Sequence, residues 1–280
     1  MRPYLPLVCL TLLMGCGSSS TTQQSSAAAE QKAPAYPFAY QLNKPASVAK
    51  LPKKLEEVSG LTYYKDGKLL CIQDEVAAAY VFDTRTGKVI EDIDFGGYGD
   101  FEGIEYVDGT IYALESNGML SRFEPRSLRI ARSNIGIPKK TEVEGLGYDP
   151  KAKQLLIAVK KGSTGSSDKA VYTYDLTRKT VYKALNISDV QLTEAGIDPG
   201  SYKPSGIAVH PITGDWYVIT SAGHRLLIID RPGKIRYNEP LDPQLFRQPE
   251  GICFAPNGDL YIASEGKGKK AEILTFPYRK

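Results

Sequence analysis

Histidine and cysteine are scarce in this 280-residue chain, at two and four residues, and the scarcity removes whole classes of chemistry. There is no His-Glu-x-x-His zinc motif, no Cys-x-x-Cys pair and no Gly-x-Ser-x-Gly nucleophile elbow. A long apolar run is missing too. Leu5 to Met14 is interrupted by Pro6, Cys9 and Thr11 and falls short of the roughly 20 residues a spanning helix needs. From Tyr36 onward no helical period is sustained. Strong charge of either sign is also lacking: the formal balance is +3, and +2 once Arg2 is removed with a leader, which gives no case for nucleic acid as a partner. Gly162-Ser163-Thr164-Gly165-Ser166-Ser167 has residues that suit phosphate but no Walker lysine, and reads as a loop. His210 and His224 are separated by a strand and a turn, and His210 precedes Pro211, which suits a structural role better than a catalytic one.

The chain does carry an address. Arg2 and the apolar stretch after it form a signal peptide over residues 1–15. Leu13-Met14-Gly15-Cys16 resembles the lipobox of bacterial lipoproteins, which implies diacylation of Cys16 on sulfur and a protein held to the lipid bilayer of the cell envelope by acyl chains. Residues 16–35, rich in Ser, Thr, Gln and Ala, have little to bury and read as a flexible tether. Cys9 leaves with the leader and Cys16 is committed to lipid. Cys71 and Cys253 lie in apolar strand patterns on different strands of a repeat, so two buried thiols are expected rather than a disulfide.

Residues 36–280 carry that repeat. Val58-Ser59-Gly60-Leu61, Phe101-Glu102-Gly103-Ile104, Val143-Glu144-Gly145-Leu146, Pro204-Ser205-Gly206-Ile207 and Pro249-Glu250-Gly251-Ile252 place their glycines 43, 42, 61 and 45 residues apart. Each cassette leads a strand, a turn and further strands, with hairpin signals such as Asp66-Gly67 and Asp108-Gly109 between them. The period is that of a propeller blade, a unit unable to bury both faces of its sheet alone. The expectation is an all-β, five-bladed β-propeller with four-stranded antiparallel blades. A strand from about Phe38 to Val48 should complete the last blade and close the ring. In the second blade the fourth strand is expected near Leu128 to Ala131. Lys161 to Lys169 and the polar excursion Leu185 to Tyr202 account for the long interval, with a sixth, degenerate blade as the rival reading.

Just before the cassette glycines stand Ser59, Glu102, Glu144, Ser205 and Glu250, and two residues earlier Glu57, Asp100, Glu142, Lys203 and Gln248. If the cassettes begin the innermost strands, six carboxylates crowd one mouth of the channel. Crowded carboxylates raise one another's pKa unless a cation, a basic ligand group or hydrogen-bond donors offset the repulsion. Glu102, Glu144 and Glu250 are therefore candidate oxygen ligands for a calcium ion (Ca2+). The alternative is that these glutamates accept backbone N–H groups of the neighbouring blade. A second polar set follows the second strands: Gln73, Asp74 and Glu75, Glu115, Lys160, Ser221 and Glu265. Antiparallel geometry returns it to the same mouth. With Glu57, Asp100 and Glu142 it forms the candidate ligand-binding set.

Several longer motifs carry a resemblance. Leu51 to Leu61, Cys71-Ile72-Gln73-Asp74-Glu75, Gly99-Asp100-Phe101-Glu102-Gly103-Ile104, Ser205 to Pro211 and Gln248-Pro249-Glu250-Gly251-Ile252 occur in the order in which the SdiA-regulated protein family has them. The chain resembles that family over about residues 50 to 280. The resemblance implies a bacterial exported or membrane-associated five-bladed propeller and supplies no catalytic residue. More faintly the cassettes resemble NHL repeats and gluconolactonase-like propellers, without the asparagine-bearing metal motifs of the latter. The resulting expectation is a lipid-anchored envelope propeller that binds a small ligand or an envelope protein at an acidic mouth, with no catalytic residue assigned. The alternative is metal-dependent hydrolysis of a lactone or phosphoester.

Overall fold

The structure is a computed structural model and describes residues 36–127, 129–163 and 169–279. The leader, Cys16 and the whole tether lie outside those residues, as does the centre of the Lys161 to Lys169 loop.

Five four-stranded antiparallel sheets make the ring. The first blade comprises Val58–Lys65, Lys68–Gln73, Val76–Asp83 and Lys88–Tyr98; the second Phe101–Val107, Thr110–Glu115, Met119–Phe123 and Ala131–Asn134. The third is Glu142–Asp149, Gln154–Lys161, Ala170–Asp175 and Thr180–Asn186, and the fourth Lys203–Val209, Trp216–Ala222, Arg225–Ile229 and Ile235–Pro240. In the fifth, Gln248–Phe254, Leu260–Glu265 and Glu272–Phe276 are joined on the outside by Ser47–Lys50, so both ends of the propeller share one sheet. Asp66-Gly67 and Asp108-Gly109 take positive φ at both residues, as the tight primed hairpin turn requires.

The core is five clusters, one between each pair of adjacent blades. Leu70, Ile72, Phe101 and Ile104 fill the first of these seams, and Leu61, Cys71, Cys253 and Tyr261 fill the closing one. The cassette glycines let the innermost strands meet. A Cβ on Gly60 would lie 3.0 Å from Gly103 Cα, and one on Gly103 would lie 2.6 Å from Leu146 Cβ. On Gly145 it would lie 2.8 Å from Gly206 Cα, and on Gly206 2.9 Å from the Glu250 carbonyl oxygen. One on Gly251 would stand 2.7 Å from Leu61 Cβ, back in the first blade. The repeat thus closes on itself through main-chain contact that only glycine permits.

Two sequence expectations shift. The closing strand spans Ser47–Lys50 alone. The alternating apolar residues before it are instead a strap over the seam between the fourth and fifth blades, with Tyr40 and Leu42 buried and Phe38 stacked on Tyr237 at 4.6 Å. Pro37 and Pro45 lack the N–H groups a ladder needs. The outer strand of the second blade lies three residues later than expected, at Ala131–Asn134, where every residue is exposed and no apolar pattern marks it. As expected of five blades, the long interval contains no sixth sheet among the described residues. It holds the six-residue helix Asp189–Glu194, capped reciprocally by Ser188 and Gln191, and it buries Ile187, Leu192, Ile197 and Tyr202 against the fourth blade.

Cys71 and Cys253 are free buried thiols, as expected, and burial pushes both pKa values up. His210 is fully buried and structural. Its Nδ1 accepts from the N–H groups of Ile212 and Thr213 at 3.2 and 3.1 Å, and its Nε2 meets Tyr40 Oη at 2.8 Å. Tyr40 donates onward to the Gly258 carbonyl at 2.6 Å, so the ring sits neutral with the proton on Nε2. Burial lowers its pKa to about 4.

Candidate functional site

At each cassette the ladder between the first two strands slips, with the shift falling at Ser59, Glu102, Glu144-Gly145, Ser205 and Glu250. These are β-bulges, which bend the strand and re-aim the extra side chain. On the second strand of the third blade Lys160 is also passed over, since Glu142 pairs with Lys161 and Val143 with Val159. Ser221 is skipped in the same way in the fourth blade.

The bulges set three carboxyl groups from three blades within electrostatic reach of one ammonium group, which bonds one of them. Glu144 is buried at 4% exposure and accepts a hydrogen bond from Lys160 Nζ. Glu102 and Glu250 act on the same ammonium. Burial, then the charges of Glu144 and Asp100, pushes Glu102 up to about 9. Burial and then Glu144 push Glu250 up to about 8. For Glu144 burial outweighs the lysine, so its carboxyl lies above the ordinary range. Burial lowers Lys160, and the three glutamates more than reverse that effect. The remaining two ring positions are serines. Ser205 Oγ donates to the Pro249 carbonyl at 2.6 Å, whereas Ser59, only 7% exposed, has an Oγ with no partner among the described residues.

The acidic field extends beyond the ring. Asp100 accepts from Ser116 Oγ and bears on Asp74, Glu102 and Glu144. Asp74 is raised by burial and then by Glu57 and Glu75. Glu265 is raised by burial and then lowered in part by Lys267, with Asp74 and Glu57 next in weight. Glu142 is exposed and paired with Lys161 at 2.8 Å. The candidates Glu57, Asp74, Glu75, Asp100, Glu142, Lys160 and Glu265 therefore form one network with the ring.

Three others lie outside that charge network, although Gln73 lines a cleft with Glu57, Glu75 and Glu265. Glu115 is buried and tied to Arg132 on the outer strand of its blade. Gln73 Oε1 accepts the Glu75 N–H at 3.1 Å and shapes a turn. Ser221 is half-buried in the fourth blade, which adds no carboxylate to the network. The backbone bridges between blades are made by carbonyls, Phe101 N–H to Asp74 O at 2.8 Å and Val143 N–H to Ser116 O at 3.0 Å. Among the described residues no three histidine, cysteine or carboxylate side chains are grouped tightly enough to hold a metal ion.

Sequence reasoning missed Glu105, two residues beyond a cassette glycine. It accepts from Thr62 Oγ1 at 2.9 Å and from the Tyr106 N–H at 3.1 Å, and burial pushes it up to about 8. The equivalent residues are Thr62, Gly147, Ala208 and Cys253, so a lone glutamate among small side chains was the available signal.

The raised carboxyls set a pH dependence. Native Glu102 and Glu250 hold protons that unfolded glutamates release, so their contribution is complete below the ordinary value of 4.5 and is lost as pH rises toward about 9. Denaturant titrations across that range should show stability falling with pH. Glu102→Gln and Glu250→Gln should each flatten the fall; an unaltered slope in both would assign it to other groups.

Solved structures of low identity share the architecture. Glutaminyl cyclase of Myxococcus xanthus superposes with a TM-score of 0.59 at 11% identity, over 84% of this chain and 96% of that one. A luciferin-regenerating enzyme matches with a TM-score of 0.52 at 12% identity, over 83% and 95% of the two chains. A Bacteroides thetaiotaomicron protein of unknown function gives 0.52 at 12% identity, over 85% and 61%. At these identities the likeness is one of fold alone. The sequence model of one family, in contrast, matches residues 39–267 and takes in all five cassettes. The chain belongs to the SdiA-regulated family.

Proposed function

We propose that this propeller is a lipid-anchored component of the bacterial cell envelope that binds a small ligand, or a side chain of an envelope protein, through a cationic group at the acidic mouth. The lipobox at Cys16 is the sequence basis for the anchor. The observation that supports the binding reading is Lys160, whose ammonium bonds Glu144 and lies in the field of Glu102 and Glu250. A ring that accepts one ammonium has the chemistry for a second, and Ser59 adds an unused hydroxyl. Near neutrality Glu102 and Glu250 retain protons. An arriving cation favours their ionised forms, so binding is coupled to proton release.

Calorimetric titration of the full chain with hexylammonium, in two buffers of different ionisation enthalpy, tests this. The expected result is weak binding, on the order of millimolar, that declines with salt and whose heat depends on the buffer. The double variant Glu102→Gln/Glu250→Gln should weaken it about tenfold. Absence of binding, or the same affinity in the variant, would remove the reading. A calcium titration run alongside addresses the ion-based alternatives, including metal-dependent hydrolysis of a lactone or phosphoester. A divalent ion on the three glutamates requires Lys160 to withdraw, so calcium binding without amine binding would replace the organic cation by the ion.

A further inference from the structure

The described chain begins at the end of the propeller opposite the mouth. Each first strand starts at its cassette and runs away from the mouth, so the turns between first and second strands, and between third and fourth, lie on the far face. Tyr36 is held there. Its Oη donates at 2.8 Å to Asp215, in the turn that precedes Trp216–Ala222, and the Arg279 N–H donates to the Ala39 carbonyl at 3.2 Å.

That far face is basic. Its turns, with residues 277–279, hold ten lysines and arginines against six aspartates and glutamates among the described residues. All ten basic residues, among them Arg85, Arg126, Lys151, Lys153, Lys179 and Lys234, are exposed. Three of the acids turn inward. Asp215 accepts from Tyr36, Asp230 from the Lys234 N–H at 2.8 Å and Asp259 from the Tyr278 N–H at 3.0 Å. Asp66, Asp108 and Glu124 remain exposed. The strand ends at that face add no net charge, since Lys65, Lys68 and Lys88 offset Asp83, Asp149 and Asp175. Ile212 and Ile130 stand among these turns at 52% and 39% exposure.

We infer that the far face lies against an anionic phospholipid surface, so that the carboxylate mouth opens away from the membrane. The inference rests on the lipid anchor at Cys16 and adds which face that anchor brings to the bilayer. A coil with the length and composition of residues 16–35 has a relaxed span of about 25 Å, similar to the height of an eight-residue blade strand such as Val58–Lys65. To press the mouth onto lipid, such a coil would have to be drawn along the whole side of a blade. Basic turns are attracted to anionic headgroups within a Debye length, about 8 Å at physiological salt, and exposed isoleucines can enter the headgroup layer. Carboxylates at the mouth would meet repulsion there instead.

The test uses the acylated protein reconstituted into vesicles of phosphatidylcholine, alone or mixed with phosphatidylglycerol. A fluorophore is attached through Ile212→Cys on the far face or through Tyr98→Cys at the mouth end of the first blade's outer strand, where the tyrosine is 86% exposed. Buried Cys71 and Cys253 escape labelling. With phosphatidylglycerol present, nitroxide-bearing lipid should quench the Ile212 label about threefold more than the Tyr98 label, and added salt should narrow the difference. Lys151→Glu/Lys153→Glu on the far face should narrow it too, whereas Lys139→Glu/Lys140→Glu on the mouth side should not. Equal quenching of the two labels, a difference as large in phosphatidylcholine alone, or one indifferent to the Lys151 and Lys153 reversal overturns the inference and leaves the anchor standing. If mass spectrometry finds Cys16 without acyl chains, the anchor and the inference fall together.

Discussion

Gly145→Ala should be among the most damaging single-methyl changes in this protein, lowering stability by roughly 3 kcal/mol or more. Two effects coincide at this position. Gly145 has φ +80, where an alanine is strained, and the new Cβ would lie 2.8 Å from Gly206 Cα and 3.0 Å from its carbonyl carbon. Because these neighbours are backbone, relief requires the third and fourth blades to separate, which opens the apolar seam beneath them. Gly97 provides the control. It has ordinary φ and nothing within 4 Å of its ideal Cβ, so Gly97→Ala should stay within about 0.5 kcal/mol of the parent. Urea titrations would show the contrast as a large drop in midpoint for Gly145→Ala at an unchanged m-value. Equal midpoints for the two variants would mean that the glycine ring does not govern blade spacing.

Lys160→Met should have the second largest effect, and its signature is the pH at which it appears. The substitution leaves Glu144, at 4% exposure, without its ammonium partner. Breaking a buried pair costs about 3–5 kcal/mol. Here about 2 kcal/mol is expected near neutrality, because 40% of the Lys160 side chain is exposed and because Glu144 can take up a proton. Below the ordinary glutamate value of 4.5 the carboxyl is protonated in folded and unfolded chains alike, so variant and parent should converge there. The gap should then widen as pH rises and the unpartnered Glu144 resists ionisation. Adding Glu144→Gln should recover most of the loss, as a double-mutant cycle would show. A loss that is constant with pH, or one that Glu144→Gln does not repair, would identify a packing effect of the lysine stem instead.

Much of the fold was legible because propeller geometry makes demands on residue type that recur in every blade. Five glycines were needed where main chains touch, and each carries its cassette into view. The mutual influence of Glu102, Glu144 and Glu250 was legible for a related reason: each stands beside a cassette glycine, at the same position of its repeat. Lys160 was recognisable as a member of the polar set. Its part as the resident counter-ion was not, because that follows from a register slip which leaves it and Glu144 both out of the ladder. A bulge has no residue signature of its own. Outer strands were the weak point, since Ala131–Asn134 buries no face and shows no alternation. The opposite error arose at Tyr36 to Leu42, where alternation produced by docking into a seam has the same period as a strand. Glu115 illustrates a third limit. Its sequence position matches the mouth set, yet Arg132, from a strand two places away in the blade, takes its carboxylate.

The central claim is that the ring of Glu102, Glu144 and Glu250 is an ammonium site whose resident occupant is Lys160. The most direct measurement follows the carboxyl carbons of isotope-labelled glutamates and the Lys160 ammonium by NMR while hexylammonium is added to the full chain. The account predicts concerted saturable shifts of the three ring carboxyls and of Lys160, with Glu102 and Glu250 moving toward their ionised positions, while Glu115, held by Arg132, stays still. Shifts that are spread evenly over the exposed carboxylates and fail to saturate, with the ring unmoved, would contradict it.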